Sequence, residues 1–139
     1  MSRAKKPTAR TLHLAPMKVS DSFRAFVLDQ LDELGDVIAR SMFGGVGLYR
    51  HGIFFGIIAA DVLYLKVDAT NRPDYERAGS QPFKPYPNRA GTMQYYAVPL
   101  DVLESGLELT VWARRAVDVA ARARPSTSPS KKRRATVST

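Results

Sequence analysis

The sequence predicts a two-layer α+β domain: an antiparallel sheet of about five strands flanked by N-terminal and C-terminal helices, with a short helix in the middle. Three observations predict it. Residues 42–67, MFGGVGLYRHGIFFGIIAADVLYLKV, read as three consecutive strands joined by tight turns. Apolar residues recur at helical spacing both before that run, from Phe23 to Leu34, and after it, from Leu109 to Ala123. Consecutive strands with short connections are most simply met by an antiparallel meander.

Residues 1–19 lack sustained periodicity and are expected to form a basic, disordered arm, with Leu12, Leu14 and Met17 as candidate anchor points. Ser20 or Asp21 caps a first helix whose stripe is Phe23, Phe26, Val27, Leu31 and Leu34. Gly35 stops it, because glycine accepts the left-handed conformation that follows a helix end. Val37–Met42 is short and β-prone at Val37 and Ile38, which suits a first strand.

In the central run, His51-Gly52 separates Val46–Arg50 from Ile53–Ala59 by the two residues of a hairpin, with glycine where a type I′ turn wants it. Gly56 inside the apolar strand predicts a bulge or a close contact with a covering helix. Ala60-Asp61 turns the chain into Val62–Val67. Asn71 caps a short middle helix with Pro73 in its first turn, ended by Gly79. Residues 80–91, SQPFKPYPNRAG, hold three prolines and predict an extended loop or edge strand, and Thr92–Val98 the last strand.

A final helix runs from Pro99 to Arg124 with a break near Ser105-Gly106. Its inward stripe is Leu109, Trp112, Ala113, Ala116, Ala120 and Ala123, and Arg114, Asp118 and Arg122 are spaced to pair along another face. Pro125 ends it. The expected organisation is therefore an arm at 1–19, a domain at 20–124 and a disordered Ser/Thr/Pro-rich basic tail at 125–139.

A chain of 139 residues with 45% hydrophobic content is of the size and composition of one soluble domain. No run approaches the ~18 apolar residues of a membrane span, and no apolar stretch follows the basic start as in a secretory signal. With no cysteine, disulfides, thiol nucleophiles and Cys-ligated zinc are excluded. The expectation is a cytoplasmic protein without a cofactor. The charge of +8 is unevenly placed. Residues 1–18 carry Arg3, Lys5, Lys6, Arg10 and Lys18, and residues 125–139 carry Lys131, Lys132, Arg133 and Arg134, with no acidic residue in either end. Those nine cations exceed the total, so 19–124 sums to −1. Such asymmetry speaks to polyanionic partners rather than to fold.

Gly44-Gly45-Val46-Gly47 suggests a phosphate loop, but it leads into a strand rather than a helix, and no Gly-Lys-Ser/Thr follows; a tight strand connection is the reading, with an anion nest as the alternative. His13 lies in the arm and His51 in a turn, neither with a ligand or nucleophile partner, and no metal site is expected. Asp29, Asp32, Glu33 and Asp36 cluster at helical spacings that place most of them on the wet face of the first helix. Tyr49, Tyr64, Tyr75, Tyr86, Tyr95 and Tyr96 offer stacking surfaces for unpaired bases, yet most fall in strands, where packing is the plainer role. Trp112 reads as a helix-to-sheet anchor. Lys131, Lys132, Arg133 and Arg134, helped by Arg3, Lys5 and Lys6, are the candidate contacts to DNA or RNA phosphates, of a kind that reads no bases.

The ordered set Arg40-Ser41-Met42-Phe43-Gly44-Gly45-Val46-Gly47-Leu48-Tyr49, Gly52-Ile53-Phe54-Phe55-Gly56 and Leu63-Tyr64-Leu65-Lys66-Val67-Asp68 resembles the TfoX/Sxy N-terminal domain. Arg72-Pro73-Asp74-Tyr75, Pro82-Phe83, Met93-Gln94-Tyr95-Tyr96 and Trp112-Ala113-Arg114-Arg115-Ala116 extend the likeness over about residues 20–120. The resemblance implies an antiparallel sheet flanked by helices. It also implies a role like that of the family's competence regulators, which act with the cyclic-AMP receptor protein at promoters. Where those regulators continue into a helical C-terminal domain, a basic tail is expected here. The family offers no catalytic residues to carry over, and Met42, Phe43, Gly44, Gly45, Gly47, Tyr49, Gly52, Phe55, Gly56, Tyr64, Lys66, Tyr95, Tyr96 and Trp112 are expected to be structural.

The expected function is a non-enzymatic regulatory module working through contacts with a transcription-regulatory protein, with a homodimer as the candidate assembly and with tails that bind nucleic acid weakly. The alternative is a protein-only adaptor or chaperone-like module using an exposed sheet face or edge. A small-ligand protein or enzyme built on the glycine turn and the tyrosines would need a deep pocket with convergent polar groups.

Overall fold

A computed structural model describes residues 18–42, 44–84 and 94–123. The expected disorder of the arm and tail, Phe43, Tyr86, and most of the 80–91 loop therefore fall outside the described residues, as do Thr92 and Met93. In chain order the elements are α1 (Asp21–Gln30), β1 (Val37–Met42), β2 (Gly45–Arg50), β3 (Ile53–Ala59), β4 (Val62–Lys66), α2 (Arg72–Arg77), β5 (Tyr95–Ala97), α3 (Leu100–Leu103) and α4 (Gly106–Ala123). The five strands form one antiparallel sheet in the order β1-β2-β3-β4-β5. The fold is thus α+β, as the strand and helix patterns predict.

The turns follow from backbone conformations that few residues tolerate. His51 and Gly52 both have positive φ, at 52° and 79°, the type I′ pattern whose twist suits a two-residue hairpin. Ala60 and Asp61 repeat it at 52° and 57°. Asp61 also ties this turn to α1: its carboxylate accepts from the Ser20 amide at 2.8 Å and the Ser20 hydroxyl at 2.9 Å. Ser20 is the N-cap and accepts from the Phe23 amide at 3.2 Å, a bond of about 1 kcal/mol in such positions.

The sheet has two unlike faces because its register puts alternate residues on opposite sides. On one face Val46, Leu48, Phe55, Ile58, Leu63, Leu65 and Val67 meet Val27, Leu31 and Leu34 from the α1 region, Tyr75 of α2, and Leu109, Ala113, Ala116 and Ala120 of α4. Trp112 packs partly buried against this core, its ring edge-on to Tyr75 at 4.7 Å between centroids. Phe55 reaches this face through a bulge: Leu48 pairs with Gly56 and Tyr49 with Phe54, which leaves Phe55 unpaired.

Several expectations need correction. α1 ends at Gln30, so Leu31 and Leu34 are buried from the turn that follows, and Phe26 is 39% exposed rather than part of the inward stripe. Asn71 precedes α2 without capping it; its buried side chain accepts from the Asp68 amide and donates to the Lys66 carbonyl, bracing the loop. The close contact at Gly56 is with β4 and β2, not with a helix. The break before α4 is real and separates off α3, but Ala123 is exposed, and Val117, Val119 and Thr110 are buried without having been expected. Arg122 reaches Asp68 at 3.2 Å, and Arg115 reaches Asp74 at 2.8 Å, so the α4 cations bind the α2 region instead of pairing along their own helix with Asp118.

Candidate interaction surface

The other sheet face is built from the residues that alternate with the core. Register places Ile38, Arg40 and Met42 of β1 beside Tyr49, Gly47 and Gly45 of β2, then Phe54 and Ile57 of β3, Tyr64 and Lys66 of β4, and Tyr95 of β5. Pro82-Phe83 adds to it beyond β5: Pro82 bridges Tyr96, and the Phe83 amide donates to the Tyr95 carbonyl at 2.8 Å. This is the edge pairing expected for the start of the proline-rich segment.

An aromatic row crosses this face. Tyr49 and Phe54 lie 5.0 Å apart between centroids, Phe54 and Tyr95 5.6 Å, and Tyr64 and Phe83 4.8 Å. A cation stands at each end: the Arg40 guanidinium is 5.7 Å from the Tyr49 ring and the Lys66 ammonium 5.1 Å from the Tyr95 ring. Burial pushes the Tyr95 phenol up to about 12, with the Tyr49 phenol adding to the effect, and burial raises Tyr64 as well. Both stay neutral at physiological pH. Neutral phenols packed on Phe54 and Phe83, with Lys66 over the Tyr95 ring, make an amphipathic surface rather than an acid–base pair.

The sequence-predicted residues scatter accordingly. Tyr49, Tyr64, Lys66 and Tyr95 gather on this face; Phe55, Tyr75, Tyr96 and Trp112 belong to the helix-covered side. Gly44 lies in the β1–β2 connection and Gly45 opens β2, and a hollow of about 260 Å³ there is lined by Lys18, Val19, Asp21, Arg24 and Ser41 beside those glycines and Val46. A second hollow of about 260 Å³ lies between Gly52, Ile53, Phe54, Lys66, Tyr95, Ala120 and Ala123. His51 has a hydrogen-bonding partner that its place in a turn did not reveal. Its Nε2 is 2.9 Å from the Asp36 carboxylate, and that hydrogen bond, with the charge of the ring, holds Asp36 below the ordinary carboxylate value. The spacing of fifteen residues hid the pair, which depends on the hairpin turn meeting the loop after α1. Asp29, Asp32 and Glu33 are exposed as expected. Among the described residues no group of three or more His, Asp or Glu side chains is placed to hold a metal ion, and no helix is long and apolar enough to cross a membrane.

The family model for the TfoX N-terminal domain matches residues 29–120, from the end of α1 through most of α4. The chain belongs to the TfoX N-terminal domain family. No curated protein matches its sequence. The family match spans the whole meander, including the aromatic row and the Gly56 bulge, and stops short of both basic ends.

Proposed function

We propose that this TfoX N-terminal domain protein is a non-enzymatic regulatory module that influences transcription through contacts with another protein, its basic ends adding weak, sequence-independent affinity for DNA or RNA. The observation that carries the reading is the family match over a middle segment whose charges nearly cancel, with the surplus cations confined to the ends that the match leaves out. Regulation by contact needs rigid surface rather than a reactive cleft. The cross-strand aromatic row and the salt-linked α2–α4 corner supply rigidity of that kind. The setting for such a module is the cytoplasm.

The test is transcript profiling after deletion of the gene, with complementation by the full chain and by a variant in which Lys131, Lys132, Arg133 and Arg134 are alanine. The expected result is a defined set of altered transcripts, restored fully by the chain and in part by the variant. Unaltered transcripts would refute the regulatory reading.

A further inference from the structure

The helix layer carries a second surface, of a different chemistry from the sheet face. Every large hydrophobic side chain exposed among the described residues falls in one of two segments: Phe26 and Ile38 in residues 25–39, and Leu100, Leu107 and Val111 in residues 97–113. Neither segment contains a lysine or arginine. The first holds Asp29, Asp32, Glu33 and Asp36, the second Asp101, Glu104 and Glu108.

The fold brings these segments together. The Gln30 side-chain amide, in the last turn of α1, donates to the Leu103 carbonyl at 2.8 Å, and Gly106 at the start of α4 packs on Gln30, leaving 3.6 Å between that backbone and where a Cβ would stand. The end of α1, α3 and the first turns of α4 therefore meet at one end of the helix layer. Phe26 lies one turn before Gln30, and Leu107 and Val111 lie one turn apart on the outward side of α4. Leu100 and Leu107 are 67% and 74% exposed, more than any other large apolar side chain described. Ile38 is on the opposite sheet face and is not part of this ridge.

The carboxylates around the ridge have no cationic partner among the described residues. Asp36, Asp68 and Asp74 have cationic partners, whereas Asp29, Asp32, Glu33, Asp101, Glu104 and Glu108 have none among the described residues. Three cations border the area: Arg50, whose guanidinium is spent on the Leu34 and Gly35 carbonyls, and Arg114 and Arg115, one turn beyond Val111, of which Arg115 is held by Asp74.

We propose that this ridge, Phe26, Leu100, Leu107 and Val111 with its rim of carboxylates, is the docking surface for a cationic amphipathic helix of a partner protein. The inference rests on the regulatory reading above and names the chemistry of its protein contact. An apolar ridge at helical spacing accepts the apolar side of a helix, and unpaired carboxylates on both flanks select basic residues on its edges. The same charges argue against the other occupants. Nucleic acid and anionic lipid are repelled, and a second copy laid symmetrically on this face would set its own carboxylates against these.

The experiment is an NMR titration of the full-length ¹⁵N-labelled chain with an amphipathic peptide of leucine and lysine, and with its leucine–glutamate counterpart. Shifts are expected at Phe26, Leu100, Leu107 and Val111 with the lysine peptide and not with the glutamate one. Affinity is expected to fall at least about tenfold, some 1.4 kcal/mol, in Leu107→Ser/Val111→Ser and in Glu104→Lys/Glu108→Lys. Both pairs are exposed, and an unchanged thermal midpoint verifies folding. Shifts centred on the Tyr49–Tyr95 face, unchanged affinity in the variants, or equal binding of the two peptides would overturn the proposal. So would a dimer that Leu107→Ser/Val111→Ser converts to monomer. Transcript restoration by those variants, set beside the deletion phenotype, separates the two claims: a regulator that still works without this ridge sinks the ridge alone.

Discussion

Tyr75 presents a hydroxyl with nowhere to go. The residue is 1% exposed, its ring sits between those of Tyr96 and Trp112, and its oxygen has no hydrogen-bond partner among the described residues. Burial, with the Asp74 charge adding to it, pushes the phenol far above its ordinary value, so the group is a neutral, unpaired donor. Tyr75→Phe keeps the ring and removes the orphaned oxygen, and should stabilise the protein by about 1 kcal/mol, an upward shift of roughly 5 °C in Tm by calorimetry. Asp68 behaves oppositely. Hydrogen bonds from the Thr70 hydroxyl and amide, then from Arg122, hold its carboxyl below 3.8. A folded value below the unfolded one stabilises above that ordinary value, and the contribution disappears as pH falls through the folded value. Asp68→Asn should therefore lower the urea midpoint near neutral pH, and the gap to wild type should close as pH falls through the lowered folded value. These two sites mark the limit of reading side chains from sequence. Aromatic residues in strands announced packing, but whether Tyr75 or Tyr95 lies under the helices depends on strand register and on which way α2 folds back.

At the level of elements, Gly56 shows what was legible. An isolated glycine in a β-branched run signalled a bulge, and the bulge is there, one residue earlier at Phe55. What the sequence could not show is the neighbour that requires it. A Cβ at Gly56 would stand 3.2 Å from the Tyr64 carbonyl oxygen, 3.2 Å from Leu65 Cδ2 and 3.3 Å from Leu48 Cδ1. One of those is backbone inside a paired sheet and has little room to move. Gly47 looks tighter, with Met42 Sδ at 2.9 Å and Phe54 Cε1 at 3.0 Å, but the nearest atom belongs to a flexible thioether chain. Gly56→Ala should cost about 2–3 kcal/mol in urea denaturation, and Gly47→Ala under about 1.5. Equal costs would mean that Met42 is as fixed as the β4 backbone. The hairpins, the Ser20 cap and the break before α4 were visible because each depends on a few adjacent residues. The Ser20–Asp61 tie, the His51–Asp36 pair and the Arg115–Asp74 and Arg122–Asp68 links were not, because each joins residues that only the finished sheet brings within reach.

The whole molecule separates its charges. Cations collect at residues 1–18 and 125–139, the middle sums to −1, and within that middle the end of α1 and the start of α4 hold only carboxylates. A polyanion and a basic partner helix would then be drawn to different parts of one chain, so both could bind at once without competing for the same groups. The basic ends are the part most open to a quantitative test, since a phosphate contact made by a lysine or arginine releases counterions. If Lys131, Lys132, Arg133 and Arg134 each engage one phosphate, log affinity should fall against log salt with a slope of about −3.6, a loss of roughly 10² between 50 and 200 mM. Replacing those four by alanine should remove that share of the slope and leave only what Arg3, Lys5, Lys6 and Arg10 contribute. The sequence of the DNA should not matter in either case, because phosphate contacts carry no base information. Fluorescence anisotropy on two unrelated duplexes across a salt series measures both quantities. A slope that survives the four replacements would move polyanion binding from the tail to the arm or to the Arg40–Lys66 face, where stacking on the half-buried Tyr49 and Tyr64 would have to contribute.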